Sequence, residues 1–575
     1  MRAAADFDTW AEGFAADWVR ACPQLATMMQ YFAGDEQDAL DRRLSLMTPF
    51  GTPHGVEAAR AQTGLARRGL AELSEFRTDD LDPQQQISAA IFALRLQGAI
   101  DDAAFAQQRF IFDQFLGLHV GLVFFLSTVH PMRNLRDAEN YLARLKLVPA
   151  LLDAGIAEAE AAAAAGIVPP RFIVERTLAQ LETLTREPLA EHPLVASFSD
   201  RLSAPAPTLA SEVEREVRER IVPALRRVGA MLARHLERAG DAAGAWSLPS
   251  GDAFYKRSLV AFTGSNLSAE EIHALGLREV ARLESEMDRI LRDLGHTAGS
   301  VGERVVRVNE ERRSRAETPS RETILAEIAA VIADASQRSR ALFNLHPKAP
   351  VVVEREPDFS EQSAAAHYGV PAPDGSRPGT YYVPLADVSA NVPWLGIGLK
   401  STAYHEAIPG HHYQLAIEQE SETLPGFRRR RAFCYDASFN EGWALYAERL
   451  CAENGWYEGD LASELGYLEM QLFRARRLVV DTGLHALRWT RQQAIDYGLT
   501  AAEVERYIVW PGQACAYMLG QLKILELRER ARAVLGERFS LKTFHDLIVG
   551  GGTMPLAVLE SRIDAWAKGP EKGRP

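Results

Sequence analysis

Sulfur is scarce in this chain. Four cysteines, Cys22, Cys434, Cys451 and Cys515, are scattered over 575 residues without C-x-x-C spacing. That excludes a disulfide framework and a zinc ribbon, and predicts reduced thiols in a cytoplasmic protein. Positive charge is short as well: 64 Lys and Arg face 77 Asp and Glu, a net charge of −13. A nucleic-acid partner needs a basic footprint, so none is expected. The one basic run, Arg428 to Arg431, reads as a solvated helix start, with a patch for substrate carboxylates as the lesser alternative. Long apolar runs are also missing. The longest uncharged stretch, Gln114 to Met132, contains His119, Ser127, Thr128 and His130. A membrane span wants about 20 mostly apolar residues, so a buried helix fits better and no membrane is expected as a partner. Met1 to Phe14 carries acids and no apolar centre, unlike a secretory signal.

What is present is helical texture. Val213, Val217, Ile221, Leu225, Val228, Leu232 and Leu236 step by four or three, as a buried helical stripe does, with Pro223 marking a kink. Similar patterns recur through about 83–128, 138–165, 267–295 and 319–345. Ser268 and Glu271 form a capping-box signature at one helix start. Between about 346 and 396 the texture changes. Val351-Val352-Val353 and Tyr381-Tyr382-Val383 read as short strands around the turn-rich Pro371-Ala372-Pro373-Asp374-Gly375. They predict a small sheet at a cleft rim, whose exposed edge can pair with an extended peptide. The expected protein is mostly α, with an N-terminal helical part over 1–345 and a C-terminal part over 346–575 that carries the chemistry, the two together forming one unit.

Chemistry concentrates in Tyr404-His405-Glu406-Ala407-Ile408-Pro409-Gly410-His411-His412. Imidazoles bind borderline ions such as zinc, and an adjacent carboxylate can accept a proton from an activated water. The start matches the zinc-peptidase helix motif H-E-x-x-H, but Pro409 stands where the second histidine belongs. On a regular helix His405 and His411 are about 9 Å apart along the axis and roughly 120° apart around it. Two nitrogens on one zinc must lie within roughly 3.5 Å, so a straight helix cannot chelate with this pair. Pro409 lacks an amide hydrogen and Gly410 tolerates unusual dihedrals, which predicts a bulge or break across Ile408-Pro409-Gly410. Looping out two residues restores one-turn spacing for His411, which makes it preferable to His412. A solvated loop with an ordinary Pro-Gly turn is the competing reading.

Two histidines leave zinc one protein ligand short. Glu441, in Ser438-Phe439-Asn440-Glu441-Gly442-Trp443-Ala444-Leu445-Tyr446, is the best candidate, because apolar neighbours predict a packed helix that turns this carboxylate inward. Gly442 implies a close approach by something else.

The motif through Gln414, followed by Asn440-Glu441-Gly442-Trp443, resembles a bacterial domain-of-unknown-function family, number eight-eight-five. Arg377-Pro378-Gly379-Thr380-Tyr381-Tyr382, Asp481-Thr482-Gly483-Leu484-His485 and Pro511-Gly512-Gln513 extend the likeness over most of the chain. Members look like zinc metallopeptidases with an H-E-x-x-P-G-H signature. The wider gluzincin group, with angiotensin-converting-enzyme-like and thimet-like oligopeptidases, is helical with a deep cleft between two halves. The resemblance implies one zinc ion held by His405, His411 and Glu441, with Glu406 as general base. Related oligopeptidases use a tyrosine or histidine on the oxyanion, which points to Tyr517, then Tyr507. Arg477, Asp481 and His485 step by four along one helix face, so Asp481 can pair with Arg477 and orient His485 to bind substrate or to serve the oxyanion, with a structural ion-pair network as the alternative. Tyr382, Tyr507 and Arg477 are the expected substrate contacts, together with His412, whose alternatives are to orient a ligand or simply to pack. The expected enzyme is an oligopeptidase or carboxypeptidase-like metallopeptidase acting on a small peptide or peptide-like amide. A non-peptide amide or cyclic metabolite, and a non-catalytic helical binding protein, are the alternatives. The state is expected to be a monomer or homodimer.

Overall fold

The computed structural model describes residues 2–202, 206–315, 319–356, 361, 365–371, 378–385, 396–433 and 436–569. Residues 372–375 of the turn-rich segment, Arg377 and Cys434 lie outside the described residues. The fold is mostly α, with one small sheet among the described residues.

The helical stripe at 213–236 is realised as Pro207–Glu216 and Val222–Leu236, joined by a wide turn at Val217–Ile221. That turn sits just before Pro223, whose missing amide hydrogen and ring are incompatible with a regular preceding turn. Val213, Val217, Ile221, Leu225, Val228 and Leu232 are all buried in one N-terminal core. The capping box forms as read: Ser268 Oγ accepts from the Glu271 amide, and Glu271 Oε2 from the Ser268 amide. Residues 118–129 form a short helix and a wide turn with His119 and His130 buried nearby. No described helix is long and apolar enough to cross a membrane.

The parts before and after residue 345 share one apolar core. Leu283, Ile290 and Ile328 pack in the same apolar cluster as Tyr404, Trp443 and Leu478. Helix Ala269–Asp293 lies along Leu461–His485, and a Cβ at Gly276 would stand 2.8 Å from Leu478 and Val479 side chains. The arginine run also differs from expectation. Arg428 is buried and donates to the Gly551 carbonyl, while Arg430 pairs with Glu12 at 2.9 Å and lies over the Tyr31 ring. Arg430 thus ties the C-terminal part to the N-terminal helices; Arg429 alone of the four is exposed.

Three strands form where two were expected: β1 (Val351–Arg355), β2 (His367–Gly369) and β3 (Gly379–Val383). Their order is β1-β3-β2, with β1 parallel and β2 antiparallel to β3. The sheet borders a cleft of about 2440 Å³. Trp18, Phe50 and Arg257 line it from the N-terminal side, and Tyr382, His405 and Tyr517 from the C-terminal side.

Candidate metal centre

The motif helix Leu399–Glu406 ends where the sequence reading placed a bulge or break, and the outcome is a break. Ala407 leaves helical geometry at φ −114°, ψ −94°, the Ile408–Pro409 peptide is cis, and a new helix, His411–Glu420, begins at once. The chain doubles back so closely that a Cβ on Gly410 would collide with the carbonyl oxygens of His405 and Tyr404. Only glycine fits that contact. The reversal brings the His405 and His411 rings to a centroid distance of 4.9 Å at 89°.

The third group comes from the helix Ala437–Glu453. His405 Nε2 stands 3.5 Å and His411 Nε2 3.4 Å from the same Glu441 oxygen. One donor atom from each of the three residues falls within 4.8 Å of the others. Each residue of Asn440-Glu441-Gly442-Trp443 has its own part in this placement. Asn440 Nδ2 donates to Gln414 Oε1 at 2.9 Å, and Trp443 Nε1 donates to the Pro409 carbonyl at 3.0 Å, so both ends of the break are held. Gly442 lies 2.6 Å, measured from a Cβ built on it, from the Gly520 backbone, where helix Ala516–Leu535 crosses. The close approach foreshadowed by Gly442 is therefore a helix crossing.

Behind the cluster, His405 Nδ1 contacts Glu448 Oε1 at 2.7 Å. Glu448 is fully buried and its other oxygen accepts from Ser401 Oγ at 2.7 Å. A histidine tied through one nitrogen to a carboxylate presents the other to an ion in a fixed tautomer. The sequence reading missed Glu448, although it lies seven residues after Glu441, two turns along the same helix face. Glu448→Gln is expected to weaken zinc binding about 10–100-fold in chelator competition. Unchanged affinity would reduce Glu448 to packing.

The electrostatics favour a cation. Burial disfavours charge on His405, but hydrogen bonding to Glu441 and Glu448 outweighs it and raises the imidazole to about 10. Burial alone would raise Glu441, yet His411 and His405 hold it well below the usual carboxylate range. Two imidazole nitrogens and one carboxylate oxygen form the donor set of three-ligand catalytic zinc sites, which keep a fourth position open. The residues present fit the group. Glu406, last residue of the motif helix, is buried and lines the cleft. Burial raises its pKa, opposed by His405 and His411 and, more weakly, by His367. His367, on β2 in the cleft wall, was not singled out from sequence.

The other expected residues separate into two groups. Tyr382, Arg477 and Tyr517 line the cleft. His412, His485 and Tyr507 do not, and their assignments are corrected. His412 is held between Tyr368 Oη and the Ala349 carbonyl, each at 3.0 Å, so both nitrogens are engaged in fastening the sheet. His485 accepts the Ala245 amide hydrogen at 2.9 Å, and its other nitrogen meets the Tyr507 carbonyl at 3.1 Å. Burial lowers both imidazoles to about 4. Asp481 does not pair with Arg477. It accepts from Tyr255 Oη at 2.7 Å and from the Gly512 amide at 3.1 Å. Tyr507 Oη instead bridges Arg477 and Glu503. The i, i+4 pattern put these residues on one face correctly, but neighbouring helices supplied closer partners.

Solved structures provide the comparison. The chain is similar to "the putative lipoprotein from Colwellia psychrerythraea", with 30% identity, a TM-score of 0.86, and 97% of this chain and 99% of that one covered. It is also similar in fold to "a putative lipoprotein of unknown function from Shewanella oneidensis", with 18% identity, a TM-score of 0.71, and 98% and 99% covered. No curated protein matches. A family profile described as "Bacterial protein of unknown function (DUF885)" matches residues 28–563. A match over that span makes this chain a member of the bacterial DUF885 family.

Proposed function

We propose that this protein is a zinc-dependent hydrolase of peptide or peptide-like amide bonds. The observation that carries the reading is the convergence of His405, His411 and Glu441 on one point of the cleft wall, with Glu406 adjoining His405. These three side chains would hold the ion, which when bound supplies polarisation of the scissile carbonyl and acidification of the attacking water. Glu406 takes the water's proton and passes it to the leaving amine. Its buried setting, which raises its pKa, suits a group that must hold a proton between those two transfers. Tyr517 offers its hydroxyl from the cleft wall to the oxyanion. Strand β2, at the sheet edge among the described residues, offers backbone groups to an extended substrate.

The cytoplasm is part of this reading, resting on four scattered cysteines without C-x-x-C spacing. The lipoprotein description belongs to the structural neighbours, and cell fractionation tests the point for this chain.

Elemental analysis of protein purified without added metal, combined with hydrolysis of a panel of peptides, acyl-amino acids and non-peptide amides, tests the function. About one zinc per chain and release of amino groups from peptides are expected. Turnover confined to non-peptide amides would overturn the peptidase reading. Absence of zinc, with no recovery when it is supplied, would overturn the hydrolase reading altogether.

A further inference from the structure

A second polar cluster sits in the same cleft. Arg477, only 4% exposed, is held by Tyr507 Oη at 3.0 Å through Nε and by Glu503 at 3.0 Å through Nη2. Its guanidinium lies over the rings of Tyr517 and Phe473 at 4.4 and 4.5 Å. Its third nitrogen, Nη1, is buried without a hydrogen-bond partner. Arg506 faces the same carboxylate at 3.5 Å and donates to Gln513 at 2.9 Å and to Tyr517 Oη at 3.4 Å. Its Nε is likewise buried and unpartnered. Two guanidinium groups thus share Glu503, leaving one positive charge in excess. Both arginines, Glu503 and Tyr517 line the cleft.

Unmade hydrogen bonds on buried cationic donors are costly, and that cost is relieved when an anion arrives. The cluster shares its cleft with His405, His411 and Glu441 and is joined to them by a helix crossing. Gly520 packs on Gly442, the residue after Glu441. Tyr517 is three residues before Gly520 on the same helix, about 4.5 Å of rise away, and its ring carries Arg477.

We infer that Arg477 and Arg506 form a subsite for a single substrate carboxylate, the C-terminal carboxylate of a peptide, which makes this chain a carboxyl-end-directed peptidase. The inference rests on the hydrolase reading for its substrate class. One surplus positive charge matches one carboxylate, and Phe473 and Phe115, which also lies under Arg506 at 5.2 Å, give an apolar flank for the adjoining side chain. Glu503 keeps the two forks apart and oriented. Each arginine has one nitrogen left for the ligand, Nη1 of Arg477 and Nε of Arg506, and a planar guanidinium holds such a donor in a fixed direction, as a lysine does not.

The test compares N-acetyl-Ala-Ala-Phe as free acid and as C-terminal amide, in turnover and in equilibrium binding to the zinc-loaded Glu406→Gln protein. The acid should be favoured at least tenfold in kcat/KM and in affinity. Arg506→Gln should bring the ratio of acid to amide close to one, and Arg506→Lys should give an intermediate ratio. Thermal unfolding of each variant shows whether the fold is kept. If Arg506→Gln does not fold, the wild-type acid-to-amide ratio decides alone. Equal handling of acid and amide by wild type would overturn the subsite while leaving the hydrolase intact. Acid-selective, Arg506-dependent binding without turnover would keep the subsite and sink the hydrolase reading instead.

Discussion

Glu406→Gln is expected to retain zinc at wild-type stoichiometry while kcat falls by about 10²- to 10⁴-fold, the usual contribution of a general base. That corresponds to roughly 3–5 kcal/mol on the barrier. The substitution preserves the side chain's volume and one acceptor oxygen, so a buried site is neither emptied nor overfilled. What it removes is the capacity to take a proton. Glu406 lies outside the group formed by His405, His411 and Glu441, so metal content should not follow activity. Single-turnover rates and elemental analysis on the same sample separate the two. A variant that turns over normally with its metal in place would show that the base lies elsewhere. Loss of zinc would show that Glu406 shapes the centre instead.

Gly410→Ala is expected to have the next largest effect, through geometry alone. The obstacle is the added methyl, which has no room beside the His405 and Tyr404 carbonyl oxygens. These are main-chain atoms at the end of a buried helix and cannot swing away as a flexible side chain does. Overpacking of this kind costs about 1–3 kcal/mol, and relief requires the break to open. Because His411 follows directly, opening separates it from His405. The expected result is a protein with native circular dichroism, a modestly lowered Tm and little bound zinc. Wild-type zinc affinity in Gly410→Ala would mean that the reversal is not what brings the two imidazoles together.

Several features were legible in the sequence because they depend on local periodicity and residue chemistry. The 213–236 stripe, the Ser268 cap and the break at Pro409-Gly410 are set by neighbours within one or two turns. The three candidate ligands could be named for a related reason: few residue types bind zinc, and the motif concentrates them. Glu448 was within reach on the same grounds, through its two-turn spacing from Glu441. The roles of His412, His485 and Tyr507 were not. Each lies on a face the sequence described correctly, but which partner it meets depends on segments far along the chain. His412 meets Ala349, His485 meets Ala245, and Arg477 finds Glu503 before Asp481.

Composition and spacing by themselves determined a mostly helical chain, a His-Glu-x-x-Pro-Gly-His motif whose two imidazoles cannot converge while it is straight, and the place where it must break. Only the tertiary structure decided that the break turns back tightly enough for two imidazoles to meet a carboxylate thirty residues on, and which polar side chains face the cleft. The physical reason is that a helix's period fixes which face a side chain occupies. What that face meets is set by helix crossings such as Gly442 on Gly520, which join residues with no periodic relation.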